Sequence, residues 1–464
     1  GRSPFRDRSN DVVGASETIS TDIGFKLPHD PNTLKAMDYK IGSCARPYMR
    51  AFHLAWTSFF VAFMAWFSFA PLLPQVKKDL NLSDNDIFIS NICSISSTIC
   101  ARFIVGPLMD QFGPRKGQSL VLILAAIPTY FSGLVQNLAG LATVRFFIGI
   151  AGATFVGCQF WCSVMFVEEI AGTVNAIAGG WGNFGGGLTM VMMVGIYNMN
   201  LASLTCDEEC AWRNAFYIPA TMLVVSSILV YKLGDDSPRG EWQPSRDIAP
   251  HWSDVAANPQ VWILVVMYAV CFGVELHVNN VVAFYYYTRF GVSLTTAGLV
   301  ASLFGVTNLF ARALGGIVSD YYYSRHGNLG RKVFLIVATV LEGLTLILFS
   351  RMESFGVSIA VMFIFSIFVQ SAEGATFAIV PYADPLNTGS VCGFVGAGGN
   401  TGAVIWGLIF IFSDTMANGF MYIGIVVVAV GFVGVLINVQ DTPLMRERSK
   451  CSIYSSQNQA ASRV

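Results

Sequence analysis

Two arginines stand inside apolar segments of this sequence, and each heads the same local pattern. Arg102 and Arg312 are each followed by a glycine four residues later and by an aspartate eight residues later. An arginine stays ionised and is costly inside a bilayer, so it persists there mainly beside a polar cavity or an anionic partner. The duplication predicts that one anion binds between the two arginines. The alternative for each arginine is a buried salt bridge with a glutamate.

Two glycine-rich segments hold a second candidate feature, a lone asparagine in each. Asn183 lies in Gly-Gly-Trp-Gly-Asn-Phe-Gly-Gly-Gly, and Asn400 lies in Gly-Ala-Gly-Gly-Asn-Thr-Gly. Small residues let helices pack closely, but close packing alone does not explain an amide in each segment. An amide donor beside exposed backbone suits an oxyanion. The first segment also contains a formal G-x-G-x-x-G, yet its apolar context is not the strand-turn-helix unit of a dinucleotide site.

The composition places these residues in a membrane protein. Of the 464 residues, 54% are hydrophobic and only 12% are charged, whereas a soluble globular chain carries about a quarter charged residues. The net charge of -1 excludes a basic footprint for nucleic acid. The apolar segments contain no nucleophile triad, metal-ligand cluster or haem-type histidine pair, so we expect neither an enzyme nor a bound cofactor or metal.

Twelve apolar segments are long enough to cross a bilayer, which takes about 20 residues. The longest polar interruption, 234–259, divides them six and six. We therefore predict an all-α membrane protein with a tail at 1–50, a six-helix half at 51–233, a linker at 234–259, a second half at 260–440 and a tail at 441–464. The predicted spans are 51–74, 87–109, 117–137, 139–166, 171–199, 212–233, 260–288, 292–320, 331–351, 356–382, 387–414 and 417–438.

Internal repetition supports two related halves. The arginine pattern occurs once in each half, Gly-Ala-Thr-Phe at 152–155 recurs at 374–377, and the Gly-Asn-x-Gly of 182–185 recurs at 399–402. Three matches in the same order indicate a duplicated six-helix unit. In such proteins the substrate site lies near the bilayer midplane between the halves.

The distribution of Lys and Arg among the loops predicts that both termini are cytoplasmic. Cys206 and Cys210 then lie outside, where a disulfide between them is possible. The sequon that begins at Asn81 also lies outside. Its Ser83 stands near a predicted helix start, so a helix N-cap and a glycan on Asn81 are both open.

A charged loop motif joins spans 2 and 3 and recurs, in a looser copy, between spans 8 and 9. In this motif a carboxylate at a helix end can pair with a basic loop, and the pairing can form and break as a latch. The plainer interpretation is that the loop is simply a basic cytoplasmic loop. The latch residues are Asp110, Arg115, Lys116, Asp320 and Arg331. Their pattern resembles the cytoplasmic loop motif of the major facilitator superfamily.

With these motifs together, residues 46 to 440 resemble the nitrate/nitrite porter family of that superfamily, and in particular the eukaryotic high-affinity nitrate transporters. Both glycine-rich segments look like the paired nitrate signatures of the family. The resemblance implies twelve helices in two pseudo-symmetric halves, with nitrate held by two arginines, sandwiched by an aromatic ring and hydrogen-bonded by a tyrosine. It implies as substrate-binding residues Arg102, Arg312, Asn183, Asn400, Phe155, Tyr268, Gly182 and Gly399.

Anion uptake against an inside-negative potential needs co-transported positive charge, at about 2.3 kcal/mol per charge per 100 mV. Glu275 stands in span 7, where the family shares a glutamate, and is the first coupling candidate; Glu373 is the second. His277 could tune either group or face the outer vestibule. Arg145 is interpreted as structural, and no role is assigned to Glu342.

We therefore expect a plasma-membrane transporter that imports nitrate and nitrite by alternating access with proton symport. Sodium could replace the proton. A nitrate/nitrite exchanger without proton coupling is one alternative, and a nitrate sensor with little flux is another. Some members of the family need a small single-span accessory protein, and the sequence leaves that requirement open.

Overall fold

The computed structural model describes residues 27–31, 33–203, 205–242, 252–384 and 388–438. Within them the chain forms α-helices joined by short 3-10 turns, and its β-structure consists of isolated bridges. Most of the N-terminal tail, the middle of the linker and the C-terminal tail lie outside the described residues. The helices are α1 (Tyr48–Trp66), α2 (Leu73–Asp79), α3 (Asp84–Phe112), α4 (Pro114–Phe131), α5 (Leu138–Ile148), α6 (Thr154–Met165), α7 (Glu168–Leu201), α8 (Glu208–Asn214), α9 (Tyr217–Leu233), α10 (Trp252–Ala257), α11 (Pro259–Phe290), α12 (Leu294–Val306), α13 (Ala311–His326), α14 (Asn328–Ser350), α15 (Phe355–Ala383), α16 (Thr388–Ile411) and α17 (Met416–Val433).

Eleven helical segments in the described residues are long and apolar enough to cross a membrane. The remaining predicted span, the fifth, corresponds to α7, a continuous helix of 34 residues. At 1.5 Å per residue it is about 50 Å long, more than a bilayer needs. Its glycines and asparagines make it less apolar than the others. The predicted all-α membrane fold is confirmed.

Two of the predicted spans are interrupted near their centres. The fourth consists of α5, a 3-10 turn at Gly149–Ala153 and α6; the eighth consists of α12, a 3-10 turn at Thr307–Leu309 and α13. A stretch of 3-10 geometry inside a helical span often marks a functional position, because it redirects backbone groups. These two turns lie beside the two arginines.

Glycines allow α7 and α12 to cross with their backbones in close contact. The glycine-rich α7 packs against α1, α12 and α13. At its contact with α12, a Cβ placed on Gly187 would lie 2.5 Å from the Cα of Gly305. Two backbones can approach this closely only when neither residue carries a side chain. The close-packing interpretation of the glycines therefore holds at this crossing.

Two polar features of the predicted outer loops, the Ser83 side chain and the cysteine pair, have defined partners in the structure. Ser83 caps α3, and its side chain and that of Asp86 form a reciprocal capping box. Such a box satisfies two backbone donors at the helix start. Cys206 and Cys210 form a disulfide. Ser83 is thus a helix cap and the two cysteines are bridged, whereas a glycan on Asn81 stays a prediction.

The latch residues pair in two different ways. Arg331 forms an ion pair with Asp320 at 2.5 Å, as the motif predicts. Arg115 instead bonds to Asp236, through its backbone N–H and its Nε, both at 2.9 Å. The chain after α9 turns back against the start of α4 and so brings Asp236 to this position. Lys116 is exposed, and the Asp110 side chain lies outside the described residues.

Candidate anion-binding site

Arg102 lies on α3 with only 1% of its surface exposed. Its Nε and Nη2 donate to the Gly152 carbonyl oxygen at 3.3 and 3.2 Å. Its Nη1 donates to the Gly396 carbonyl oxygen at 2.7 Å. The Asn400 amide is best oriented with its oxygen toward Arg102, where it accepts from Nη1 and Nε at 3.1 Å each. Among the described residues, the hydrogen-bond acceptors around this guanidinium are neutral.

Arg312 lies in the first turn of α13 and is buried to the same degree, with 3% exposed. Its Nη1 forms an ion pair with Glu373, whose side chain is fully buried on α15. Its Nη2 donates to the Tyr268 hydroxyl at 2.8 Å, so the seventh-span tyrosine does reach the arginine. The charge of Arg312 is therefore balanced by a carboxylate inside the protein.

One pair of aromatic rings brings the two arginines into a single site. The Phe155 and Phe272 rings stack with centroids 6.1 Å apart. The guanidinium carbon of Arg102 lies 5.0 and 5.2 Å from these centroids, and that of Arg312 lies 5.8 and 5.9 Å from them. A cation within about 6 Å of a ring face is attracted by it, the more so where water is excluded. The flat ring faces and the planar guanidinium forks together suit a planar anion.

Sequence reasoning missed two of the aromatic residues here. Phe272 lies one helical turn after Tyr268 on α11, and the two rings stack at 5.0 Å with an interplanar angle of 11°. Phe377 packs edge-on against Tyr268 and Phe155. Both signals were present in the sequence. Phe272 has the spacing of a same-face neighbour, and Phe377 is the repeat counterpart of Phe155.

Each arginine lies against the glycine-rich segment of the opposite predicted half. A Cβ on Gly396 would be 3.3 Å from Nη1 of Arg102, and a Cβ on Gly179 would be 3.5 Å from Nε of Arg312. These two glycines leave room for the guanidinium groups.

The predicted glycines Gly182 and Gly399 lie elsewhere in the same segments. A Cβ on Gly182 would collide with the Phe59 ring, and one on Gly399 would lie 2.6 Å from the ring of Phe272 and 2.9 Å from that of Tyr268. They make room for rings within their own halves.

Asn183 points to a carboxylate, unlike its counterpart Asn400. Its Nδ2 lies 3.5 Å from Glu275 Oε2, at the limit of a hydrogen bond, and Asn308 Nδ2 donates to Glu275 Oε1 at 2.7 Å. Asn308 belongs to the 3-10 turn of the eighth span and was not predicted. The Glu275 carboxyl also lies within hydrogen-bonding reach of the Glu373 carboxyl. Glu275 and Glu373 therefore form one carboxyl pair beside Arg312.

Three other buried ionisable residues form no hydrogen bond with this pair. His277 packs edge-on against Phe410 at 4.3 Å, and its Nε2 has no hydrogen-bond partner in the described part of the chain. Arg145 donates to Ser90 Oγ at 2.8 Å and to Asn280 Oδ1 at 3.0 Å. Glu342 is fully buried on α14, and neither of its carboxyl oxygens has a partner among the described residues.

Comparisons with known proteins agree with this architecture. Residues 55–407 match the family model described as Major Facilitator Superfamily. In fold, the chain is similar to a bacterial homologue of the human lysosomal transporter Spinster in an inward-facing and occupied conformation. That similarity has a TM-score of 0.65 at 15% identity and covers 85% of this chain and 97% of the other.

Several curated proteins are similar in sequence over most of their length. High affinity nitrate transporter 2.5 of Arabidopsis thaliana is 38% identical over 87% of this chain and 82% of its own. Nitrate transporter 2.1 of Chlamydomonas reinhardtii is 37% identical over 82% and 73%. The nitrate/nitrite transporter NrtP of a Picosynechococcus strain is 28% identical over 76% and 83%. The chain is therefore a multi-pass membrane protein that belongs to the Major Facilitator Superfamily and, within it, to the family of the high-affinity nitrate transporters.

Proposed function

We propose that this protein carries nitrate, and also nitrite, across the membrane, with the anion held between Arg102 and Arg312. The observation that carries the proposal is the sharing of one ring pair, Phe155 and Phe272, by two buried guanidinium groups. The relatives that are named nitrate transporters supply the identity of the anion. Nitrate is planar and weakly hydrated, so both its oxygens and its flat faces suit this site.

The anion would take over hydrogen bonds that protein groups make in this structure. Arg102 donates here to the Gly152 and Gly396 carbonyls, which are weaker partners than an anion. Each arginine also lies against the opposite glycine-rich segment. An anion between them would therefore neutralise charge on both halves and let them close, which fits alternating access by rocking of two repeats around a central site.

Import against an inside-negative potential requires a compensating cation, and we assign that role to a proton bound at Glu275 or Glu373. Both are buried and lie beside Arg312. We further propose residence in the plasma membrane with both termini cytoplasmic, as the loop charges predict.

The central test is nitrate uptake into proteoliposomes. Arg102→Ala and Arg312→Ala should each abolish uptake, because each removes one side of the anion site. Arg351→Ala is the matched control, since Arg351 is exposed at the end of α14, and it should leave uptake unchanged. If both central variants transported normally, the binding proposal would be wrong.

Exchange without protons is the competing mechanism. It predicts uptake that depends on internal anion and ignores external pH, and it predicts normal transport by Glu275→Gln. Nitrate uptake and internal pH, recorded while external pH and sodium are varied, distinguish proton symport, sodium symport and exchange. Proton symport requires uptake that rises as external pH falls and an internal acidification that accompanies nitrate entry.

A further inference from the structure

The two arginines differ in one respect that bears on coupling. Arg312 forms a fully buried ion pair with Glu373, whereas the described acceptors of Arg102 are neutral carbonyl and amide oxygens. A substrate anion needs the donors of both arginines. At Arg102 it competes with neutral groups, but at Arg312 it competes with a carboxylate that is already in place.

We propose that Glu373 is a built-in counter-anion of Arg312, which nitrate displaces only when the Glu275–Glu373 carboxyl pair has taken up a proton. This inference rests on the proposed function. Proton and nitrate binding are then coupled directly. Glu373 and nitrate compete for the same donor, Nη1 of Arg312, and protonation of the carboxyl pair releases that donor.

The charges of the site support this order of events. With both carboxyls ionised, Arg102, Arg312, Glu275 and Glu373 sum to zero, and a bound nitrate would leave a net negative charge in a buried site. Such a charge is strongly disfavoured. One proton on the carboxyl pair restores neutrality. The anion therefore enters at low energetic cost only together with a proton.

The geometry shows where the proton would reside. Asn308 and Asn183 direct their amide N–H groups at Glu275, so both oxygens of Glu275 already accept hydrogen bonds. The second oxygen of Glu373, Oε1, has no hydrogen-bond partner in the described residues. A proton on Glu373 would form an O–H bond that can be donated to Glu275. The ion pair with Arg312 would then become a weaker neutral contact, and Nη1 would be released to the anion.

The other groups around Glu373 leave this assignment intact. Among the described residues, Arg312 is the cation that faces it. The titratable groups that face Glu373 are Arg312 on α13, Tyr268, Cys271 and Glu275 on α11, and Glu342 on α14. Tyr268 and Cys271 are neutral near pH 7. The carboxyl oxygens of Glu342 have no hydrogen-bond partner among the described residues, and a buried carboxyl in that setting is neutral.

Nitrate binding to the purified protein in nanodiscs, measured from pH 5 to pH 9, tests the inference. Once the pair has lost its proton, the apparent Kd of the unaltered protein should rise about tenfold per pH unit, as linkage of one proton to one anion requires. Glu373→Gln should bind nitrate with a Kd that is independent of pH. Glutamine can still accept from Arg312 and donate to Glu275, so the fold should persist.

Two further variants sharpen the result. Glu342→Gln makes the same change at a buried glutamate of the same half that does not contact Arg312, and it should keep the full pH dependence. Glu275→Gln leaves the site with one positive charge while Glu373 is ionised, so a bound nitrate no longer makes the site negative. The pH dependence of the Kd should therefore be weaker than in the unaltered protein. An unchanged pH dependence would remove Glu275 from the pair.

The outcomes separate this inference from the proposed function. If the unaltered protein binds nitrate and Arg102→Ala does not, the proposed function stands whatever the glutamates do. If Glu373→Gln then keeps the full tenfold dependence, the counter-anion inference is wrong. If the unaltered protein binds no nitrate at any pH, the proposed function fails first.

Discussion

Arg102 and Arg312 occupy matching positions in a duplicated sequence, but the protein balances their charges differently. Arg102 donates to backbone carbonyls and an amide, and Arg312 pairs with a carboxylate. The repeat has preserved the position of the charge and its ring contacts. It has not preserved the partner. Duplication thus accounts for the symmetry of the proposed anion site, and one altered partner is enough to make the site asymmetric.

The physical origin of the difference lies in the segments that carry Gly-Ala-Thr-Phe. In the fourth span, the 3-10 turn at Gly149–Ala153 directs the Gly152 carbonyl toward Arg102. In the tenth span, α15 runs unbroken from Phe355 to Ala383, so its carbonyls are engaged in the helix. A side chain therefore has to supply the acceptor for Arg312. The residue before Gly152 is Ala151, and the residue before Gly374 is Glu373.

The first prediction tests this difference by removing each arginine in turn. Arg312→Ala leaves Glu373 buried without a counter-charge and should lower the free energy of unfolding by about 3–5 kcal/mol. Arg102→Ala leaves only neutral acceptors unpaired and should cost about 1–3 kcal/mol. Thermal unfolding of the detergent-purified variants measures the difference.

The double variant Arg312→Ala/Glu373→Ala controls for general damage at the site. It removes the whole ion pair and should regain most of the lost stability while remaining unable to transport nitrate. Equal destabilisation by the two single arginine variants would show that the charge of Glu373 plays no part in the asymmetry.

The second prediction concerns the ring pair, where the two arginines are alike. Phe155→Leu and Phe272→Leu keep apolar bulk but remove a π-face that both guanidinium groups approach. Such contacts are worth about 1–2 kcal/mol when desolvated, so each variant should weaken nitrate binding about tenfold.

The aromatic variants Phe155→Tyr and Phe272→Tyr are informative controls, because they keep the π-face and should bind more tightly than the leucine variants. A large loss at one ring with none at the other would contradict a shared ring pair. Nitrate titration by calorimetry gives both values.

The sequence predicted much of this site because arginines, glycines and a repeat are local signals. Apolar length predicted the spans, and the duplicated pattern predicted that Arg102 and Arg312 belong together. The pairing of Arg312 with Glu373 is different. It joins α13 to α15, and nothing in the spacing of these two residues favours it over a partnership of Arg312 with Glu275.

The local backbone conformation and the hydrogen-bond partners that depend on it could not be predicted from the sequence either. A 3-10 turn differs from an α-helix by one hydrogen-bond register, and no sequence pattern showed that the Gly152 carbonyl would be the acceptor of Arg102. Likewise, Arg115 has Asp110 in its own motif, yet it pairs with Asp236 from the linker. Such partners depend on where a distant loop returns, so they follow from the tertiary fold and not from local periodicity.

The last prediction compares the two glycines that face the arginines, Gly396 and Gly179. A methyl group on Gly396 would meet the Arg102 guanidinium at 3.3 Å, and one on Gly179 would meet the Arg312 guanidinium at 3.5 Å and Gln159 at 3.3 Å. Either neighbour can move by a few tenths of an ångström. Gly396→Ala and Gly179→Ala should therefore weaken the binding free energy of nitrate by about 1 kcal/mol or less. This corresponds to a loss of nitrate affinity of roughly fivefold or less.

Their effects should nevertheless differ in kind. Arg102 loses alignment with a neutral acceptor when Gly396 is enlarged, whereas Arg312 remains held by Glu373 when Gly179 is enlarged. We therefore expect Gly396→Ala to weaken binding by a similar factor at all pH values. Gly179→Ala should act most at low pH, where Glu373 is protonated and Arg312 can move toward the anion. Nitrate titrations of both variants at pH 5.5 and pH 8 test this, and the same pH response in both would mean that Glu373 does not hold Arg312 against the substrate.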